Sequence, residues 1–325
     1  MKILIACSSS LGHINPALIF GNYLKNKGHH VTYLGIKGEM EENILKNHDK
    51  ILLNIKKSFK KNIYSIKSII KYFTEIKAIR KQVKDYDIYI GFGGFINSVL
   101  LFLDKKPLFV HEQNIVLGDT NKLCKTFSKK VFYSFIRENQ QLIINNPTCE
   151  LIKKREFEYK DKLNILFVFG SLGSSSLIKK LKENEDKLDN NHKYTLVTDK
   201  ENKYIFNKIK TIGYVNLKKE LYNYDLIICR GGASTLSEII SSNTNCITIP
   251  SPYVKNNHQE KNVDYLVNLS LVSKLKEKDF NYVNLNKKIN EFINYDFSLM
   301  RYKNMKNVYS GNVCERIYKE ILAHV

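Results

Sequence analysis

Short, almost wholly apolar runs recur along this chain, and each ends in a loop rich in glycine or polar residues. Four of them are residues 2–6, 86–90, 163–169 and 225–229. Such runs predict strands that are covered on both faces of a parallel sheet. Segments with helical spacing lie between the runs, and an alternation of strands and helices indicates parallel sheets. The expected fold class is therefore α/β.

Chain length and composition limit the classes of protein to which this chain can belong. A chain of 325 residues predicts two domains, and the absence of a run of 18 apolar residues argues against a transmembrane helix. Six scattered cysteines without a C-x-x-C pair indicate reduced thiols in the cytoplasm and no zinc site. The first residues are too short for a signal peptide and lead straight into a strand.

The net charge of +20 favours anionic partners such as membrane lipid or phosphorylated substrates. A general bias of the chain toward Lys, Asn and Ile explains the charge equally well. No nucleic-acid-binding motif accompanies it, so nucleic acid is not an expected partner.

The loop after the first strand carries His13 at a strand-to-helix junction. Asn15 is predicted as the N-cap and Pro16 as the first position of a helix that runs to about Lys27. A lone histidine is more often structural, but at this junction a chemical role is equally open. The loop lacks G-x-G-x-x-G, so a dinucleotide cofactor is not expected.

Two further loops of the first half are candidate sites. The strand at 86–90 ends in the glycine-rich turn Gly91-Phe92-Gly93-Gly94-Phe95, and the strand at 108–110 ends in His111-Glu112-Gln113-Asn114. Consecutive polar residues at the carboxyl end of a strand are costly unless they bind a ligand or cap the next segment. We therefore expect residues 111–114 to belong to a site.

Residues 56–84 combine apolar side chains at helical spacing with many lysines. The apolar positions are Ile63, Ile66, Ile70, Phe73, Ile76 and Ile79, and the basic ones include Lys60, Lys61, Lys67 and Lys71. The pattern fits an amphipathic helix on an anionic bilayer, and it also fits a helix that packs on the sheet. Packing is favoured for most of its length. Both hold if only the first turns are exposed.

The second half repeats the pattern of strand, glycine-rich loop and helix. Residues 145–147 interrupt the alternation of strands and helices, and the charged stretch 153–162 that follows is predicted as the domain linker. Gly170–Ser176 predicts an anion nest in which Ser171 meets a phosphate, although it is not a Walker A loop. Residues 230–234 lead into a helix predicted over 235–242.

Glu238 supports two interpretations. Thr235-x-x-Glu238 has the spacing of a capping box, which favours a local structural role. A carboxylate at that position also suits the two hydroxyls of a ribose.

Together these loops resemble one family, the lipid-linked UDP-N-acetylglucosamine:muramyl-pentapeptide N-acetylglucosaminyltransferases (MurG) of peptidoglycan synthesis. The resemblance covers nearly the whole chain. Its motifs are Gly12-His13-x-x-Pro16-Ala17, Gly91-x-Gly93-Gly94-Phe95, His111-Glu112-Gln113-Asn114 with Gly118, Asn121 and Lys122, Gly170-Ser171-x-Gly173, Cys229-Arg230-x-Gly232-Ala233-x-Thr235-x-x-Glu238, Ile249-Pro250-x-Pro252 and His258-Gln259-x-x-Asn262.

The resemblance implies a fold of GT-B type, in which two Rossmann-like, doubly wound domains face each other across a cleft. Residues 1–147 would form the acceptor and membrane-facing domain, and 148–304 the UDP-GlcNAc-binding domain. A final helix at about 305–325 would return to the first domain. The implied reaction is inverting transfer of GlcNAc from UDP-GlcNAc to the C4 hydroxyl of MurNAc in lipid I, a polyprenyl-pyrophosphoryl muramyl-peptide, to form lipid II. It would need no metal or cofactor and would occur at the cytoplasmic face of an anionic membrane, to which the protein binds peripherally.

The resemblance also implies residue roles. Glu238 would hold the ribose, which then outweighs its capping role, while Ser171 would contact the diphosphate and Gln259 the sugar. Val215 would border the uracil, and Asn114 would reach the donor. The further donor-binding residues are Ser10, Leu11, Gly12, Arg230, Gly232, Ala233, Ser234 and Thr235, and the acceptor-binding residues are Gly93, Gly94 and Asn121. His13 is the first candidate for the base or acceptor-orienting group, and Glu112 is the second.

The chain departs from the family at two places. Its first loop reads Ser8-Ser9-Ser10-Leu11 where the family has several glycines, and Cys149 replaces an arginine that contacts the donor. Loss of that guanidinium removes a charge-assisted hydrogen bond of about 1.5–3 kcal/mol. Two alternatives therefore remain, namely a related enzyme with another membrane lipid acceptor and a degenerate paralogue that binds without turnover.

Overall fold

A computed structural model describes residues 1–55, 66–170, 175–198 and 203–325 of the chain. It forms two compact units. The first comprises Met1–Ser134, Asn145–Glu150 and Asn312–Val325, and the second comprises Phe135–Ile144 and Leu151–Gly311.

The first unit contains a six-stranded parallel sheet. Its strands are β1 (Lys2–Ala6), β2 (His30–Ile36), β3 (Lys50–Leu53), β4 (Ile88–Gly91), β5 (Leu108–Glu112) and β6 (Lys130–Tyr133), in the order β3-β2-β1-β4-β5-β6. The order reverses between the neighbours β1 and β4, and ligands of such sheets bind at the carboxyl ends beside this switch point. The loops after Ala6 and Gly91 meet there.

The helices of this part of the chain are α1 (Leu11–Asn26), α2 (Met40–Ile44), α3 (Ile66–Val83) and α4 (Asp119–Lys125). Helix α1 begins five residues before the predicted start at Pro16. The Ser10 carbonyl accepts the amides of His13 and Ile14 at 3.0 and 3.1 Å, which makes Ser10 the N-cap. Asn15 and Pro16 therefore lie inside the helix. This prediction was wrong because the hydrogen bonds to the Ser10 carbonyl begin the helix earlier and place Pro16 in its second turn.

Helix α3 changes environment along its length. Ile66 and Ile70 are exposed at 76% and 60%, whereas Ile76 and Ile79 are buried in the core of the first sheet. The condition under which both interpretations of this segment hold is therefore met within the described part of the helix. Residues 56–65, with Lys60, Lys61 and Ile63, lie outside the described residues.

The second unit begins with an antiparallel hairpin, β7 (Phe135–Glu138) and β8 (Gln141–Ile144). A second parallel sheet follows, made of β9 (Asn164–Val168), β10 (Lys193–Val197), β11 (Ile209–Ile212), β12 (Leu226–Cys229), β13 (Asn245–Thr248) and β14 (Ser273–Lys274). Its order is β11-β10-β9-β12-β13-β14, so the switch point lies between β9 and β12. The predicted α/β class with two doubly wound sheets is confirmed.

The remaining helices are α5 (Ser175–Glu183), α6 (Leu217–Glu220), α7 (Ala233–Ser241), α8 (His258–Asn268), α9 (Tyr282–Glu291), α10 (Tyr295–Lys306) and α11 (Val313–Leu322). Helix α11 belongs to the first unit and packs on α1. In the described parts of the chain, no helix has both the length and the apolar character needed to span a bilayer.

The charged stretch 153–162 is a packed part of the second unit and not the predicted linker. Arg155 and Lys160 bind the buried carboxylate of Asp225 at 2.7 and 3.2 Å. Burial raises the pKa of Asp225, but hydrogen bonds from Asn164, Arg155 and Lys160 outweigh burial and lower it. The ionised carboxylate thus holds this stretch against the amino ends of β9 and β12.

Candidate functional site

The buried carboxylate of Glu41 binds the loop between β1 and α1. Ser9 has a φ of 81°, a left-handed conformation that serine seldom adopts. Its amide donates to Glu41 Oε2 at 3.3 Å, and Glu41 Oε1 accepts the Ile36 amide at 3.2 Å. Glu41 is fully buried, and no motif in the sequence marked it. It therefore fixes the backbone of the loop at Ser9.

His13 lies in the first turn of α1, two residues after Leu11 and one after Gly12. Its Nδ1 is 2.9 Å from the Ser8 carbonyl oxygen, so Nδ1 donates its proton there and Nε2 is left as the basic nitrogen. A Cβ added to Gly93 would lie 2.9 Å from this Nε2. The structure thus brings His13 and Gly93 together at the switch point of the first sheet.

Gly94, the next residue, also lies against the loop between β1 and α1. A Cβ at Gly94 would lie 2.7 Å from the Ser8 carbonyl oxygen, and φ is +103° at Gly93 and +84° at Gly94. Only glycine meets both conditions without strain. The two glycines therefore let the second loop pack closely against Ser8 and His13 of the first loop.

Glu112, the last residue of β5, organises the following loop. Its Oε1 accepts the backbone and side-chain amides of Asn114 at 2.9 and 3.1 Å. Its Oε2 accepts the Gly118 amide and Asn121 Nδ2, both at 2.9 Å. A carboxylate has about four lone-pair sites, and these contacts fill them. The geometry opposes Glu112 as a base and supports it as the residue that positions Asn114.

Asn121 does not face a ligand, contrary to its predicted acceptor-binding role. Its side chain is 3% exposed, and its Oδ1 accepts Asn97 Nδ2 at 2.9 Å. Because its Nδ2 is used by Glu112, the amide is committed to the interior. Asn97, which the sequence reasoning missed, completes this network.

His111 and Gln113 connect neighbouring loops. His111 Nε2 donates to the Asn145 carbonyl oxygen at 3.0 Å, while Gln113 Nε2 donates to His111 Nδ1 and to the Phe92 carbonyl oxygen at 3.0 and 2.9 Å. Burial lowers the pKa of His111 to about 4, so the ring is neutral near pH 7. These residues are structural supports of the site.

In the second unit, α7 presents a polar face at the carboxyl end of β12. Gly232 is its N-cap, so Thr235 is its third residue and the predicted capping box is wrong. Ser234, Thr235 and Glu238 are half-buried, and Glu238 follows the other two by four and three residues, whereas Ala233 is buried. Their side chains therefore share one accessible face beside the helix N-terminus.

The first turns of α8 pack against the loop between β12 and α7. A Cβ at Gly231 would lie 2.7 Å from the Gln259 carbonyl oxygen, and Asn262 Nδ2 donates to the Gly231 carbonyl oxygen at 3.2 Å. The Ser251 amide donates to Gln259 Oε1 at 2.9 Å. With its oxygen engaged in this way, Gln259 offers a ligand its NH₂ group.

Arg230 opens the loop between β12 and α7. Its Nη1 donates to the Ile249 carbonyl oxygen at 3.1 Å and to Glu277 Oε2 at 2.6 Å. Burial raises the pKa of Glu277, but hydrogen bonds from Arg230 and Ser176 outweigh burial and lower it. The pair is therefore ionic. Glu277 lies in an ordinary charged run, and the sequence reasoning missed it.

The other predicted residues are dispersed around these elements. Val215 is half-buried in the turn before α6, which packs on α7. Gly170 follows β9 with a φ of +93°, while Ser171 and Gly173 lie outside the described residues. Cys149 is buried in a short turn of the first unit that packs on α1. No three His, Cys, Asp or Glu residues in the described ranges are placed to hold a metal ion.

Comparisons with known proteins cover both units. Residues 3–133 match the glycosyltransferase family 28 N-terminal domain, and residues 164–315 match the C-terminal domain of that family. The chain is 30% identical to the UDP-N-acetylglucosamine--N-acetylmuramyl-(pentapeptide) pyrophosphoryl-undecaprenol N-acetylglucosamine transferase of Sulfurihydrogenibium sp. (strain YO3AOP1), over 99% of this chain and 98% of the relative. It is 31% identical to the protein of the same name from Thermoanaerobacter sp. (strain X514), over 99% of each.

The solved structures agree in fold. The crystal structure of Acinetobacter baumannii MurG superposes with a TM-score of 0.76 at 21% identity, covering 99% of both chains. Two doubly wound parallel sheets, matches to both family domains and full-length relatives with one name lead to one conclusion. The chain belongs to glycosyltransferase family 28 and, within it, to the MurG group of GT-B glycosyltransferases.

Proposed function

We propose that this glycosyltransferase moves GlcNAc from UDP-GlcNAc to the C4 hydroxyl of MurNAc in lipid I, with inversion, to form lipid II. The observation that carries the donor half is the accessible polar face of α7, where Ser234, Thr235 and Glu238 lie beside the helix N-terminus at a switch point. Such a place suits an anion next to a diol. The acceptor half is supported by the printed names of the full-length relatives.

On this proposal the donor is held mainly by backbone groups. The amides at the start of α7, from Gly232 onward, and the loop with Ser171 bind the diphosphate, because a helix N-terminus carries a partial positive charge. Glu238 accepts the ribose hydroxyls, and Val215 borders the uracil. Gln259 donates to the sugar hydroxyls. Asn114, whose amide is set by Glu112, contacts the donor sugar.

The chemistry is assigned to the first unit. The C4 oxygen attacks the anomeric carbon, the bond from that carbon to the UDP oxygen breaks, and UDP leaves. His13 Nε2 takes the C4 proton, because its Nδ1 is engaged by Ser8. Gly93 and Gly94 admit the acceptor pyrophosphate next to the loop that contains Ser10, Leu11 and Gly12. Helix N-termini stabilise the departing diphosphate.

We place the reaction at the cytoplasmic face of an anionic membrane, to which the protein binds peripherally. Ile66, Ile69, Ile70 and Phe73 are exposed on the first turns of α3, and Lys67 and Lys71 lie among them. Apolar side chains that enter the interface, flanked by lysines that meet anionic headgroups, are the features of a surface-bound helix.

Removing this apolar surface is expected to weaken membrane binding. Burial of one large side chain contributes about 1.5–3 kcal/mol, so the triple change Ile66→Ser, Ile70→Ser and Phe73→Ser should lower the partition coefficient at least about 100-fold. Co-sedimentation with vesicles of phosphatidylglycerol measures it. The matched control is Ile205→Ser, which removes a side chain exposed at 83% in the second unit. Equal binding of the triple variant and the wild type would contradict the assignment.

An acceptor panel tests the function itself. Purified protein, UDP-GlcNAc and a soluble lipid I analogue should release UDP, whereas diacylglycerol and polyprenyl phosphate should not support release. A different membrane lipid acceptor is the second candidate, favoured by Ser9 and Leu11 in a loop where the family has glycines. Release with such a lipid alone would favour it. UDP binding without release from any acceptor would indicate a non-catalytic paralogue.

A further inference from the structure

Glu277 connects the two loops that flank the switch point of the second sheet. Its Oε2 accepts Arg230 Nη1 at 2.6 Å, and its Oε1 accepts the Ser176 hydroxyl at 2.8 Å. Arg230 opens the loop between β12 and α7. Ser176 is in the first turn of α5, directly after the loop that follows β9. Because β9 and β12 are hydrogen-bonded neighbours, one carboxylate can bridge the first turn of α5 and the start of the loop between β12 and α7.

Glu277 and Arg230 each make a second contact that holds them in place. Lys180 Nζ, one turn further along α5, donates to the Glu277 carbonyl oxygen at 2.9 Å. Arg230 Nη1 also donates to the Ile249 carbonyl oxygen at 3.1 Å, directly after β13. The turn that contains Glu277 is therefore fixed to α5, and the guanidinium is fixed to the end of a third strand.

Burial makes the bridge stiffer than a surface ion pair. The side chains of Arg230 and Glu277 are only 11% and 9% exposed. Charges withdrawn from water are weakly screened, and removal of one partner leaves the other charge without compensation. With its charge balanced by Glu277, Arg230 is engaged in holding the loop between β12 and α7.

We infer that Glu277 is a positioning residue for donor binding. By holding Arg230 and Ser176 on one carboxylate, it sets the separation of the first turns of α5 and α7, whose backbone amides receive the diphosphate of a nucleoside diphosphate. The inference rests on the proposed function, in which both turns contact that diphosphate. Two sets of amides bind one diphosphate well only at a fixed separation, since small displacements weaken oriented contacts steeply.

The test is UDP binding to the full chain, measured by titration calorimetry without acceptor. Glu277→Gln keeps the shape of the side chain and removes its charge, and we expect the Kd for UDP to rise about 10-fold. Ser176→Ala removes a single arm and should raise the Kd by a smaller factor. The matched control is Asp225→Asn, which breaks a similarly buried pair with Arg155 (8% and 15% exposed) at the amino end of β12, the opposite end of the strand from Arg230. This control should leave the Kd unchanged.

The outcomes separate the inference from the proposed function. A wild-type chain that binds no UDP overturns the proposed function and the inference with it. A wild-type chain that binds UDP, together with Glu277→Gln and Ser176→Ala variants of unchanged Kd, overturns the inference alone. An equal rise in Kd for Asp225→Asn also overturns it, because a general loss of stability would then explain the effect. Tighter binding by Glu277→Gln overturns it as well, since Glu277 would then compete with the ligand for Arg230. If the Glu277→Gln variant does not fold, the Kd of the Ser176→Ala variant for UDP decides whether the inference stands.

Discussion

Glu238→Ala is expected to lower kcat/KM for UDP-GlcNAc about 100-fold or more. Two hydrogen bonds from the ribose to a carboxylate contribute about 1.5–3 kcal/mol each, and about 1.4 kcal/mol corresponds to a factor of ten. Glu238 lies in the second turn of α7, on the face that also carries Ser234 and Thr235. Because Gly232 and not Thr235 is the N-cap, the variant loses no capping box.

A substrate analogue sharpens this test. The wild-type enzyme should lose activity with 2′-deoxy-UDP-GlcNAc, while Glu238→Ala should lose little more with the analogue than with the parent donor. The matched control is Glu183→Ala on α5, whose carboxylate is 56% exposed and lies 3.9 Å from Lys179. Full discrimination against the analogue by Glu238→Ala would show that another residue holds the ribose.

The sequence could predict where the sites lie because strand ends carry their own signal. An apolar run followed by glycines or small polar residues marks the carboxyl end of a buried strand, and the loops after β1, β4 and β12 were located in this way. The starts of helices were less certain. Asn15 and Pro16 have the appearance of a helix start, but the hydrogen bonds from His13 and Ile14 to Ser10 begin α1 earlier.

The supporting carboxylates could not be predicted, because their partners are distant in sequence. Glu41 contacts Ser9, and Glu277 contacts Arg230 and Ser176, across separations that no local pattern records. Glu112 shows the opposite case. It was correctly noticed as a polar residue at a strand end, but only the four surrounding donors reveal that it orders a loop.

The two units follow one design. In each, a carboxylate from another part of the chain binds a loop at the carboxyl end of a strand: Glu41 binds the loop after β1, and Glu277 binds the loop after β12. Glycine-rich backbone alone has many accessible conformations, and ordering it costs entropy. A buried acceptor that binds the loop before the ligand arrives reduces the entropy lost on binding. For Ser9, the contact with Glu41 stabilises a positive φ that serine seldom adopts.

His13→Ala is expected to lower kcat about 10²–10⁴-fold, the range for a lost general base. The Ser8 carbonyl oxygen holds Nδ1, and Nε2 lies against the backbone of Gly93. The change should leave the Kd for UDP nearly unchanged, because His13 is in the first unit and the nucleotide is assigned to the second. UDP release with saturating donor and acceptor measures kcat, and added imidazole should restore part of it. The control is His30→Ala, whose ring is 55% exposed and 3.9 Å from Asp49. A His13→Ala enzyme with wild-type kcat would remove the histidine from the mechanism, and since Glu112 is filled by its four donors, the base would then have to be sought outside both candidates.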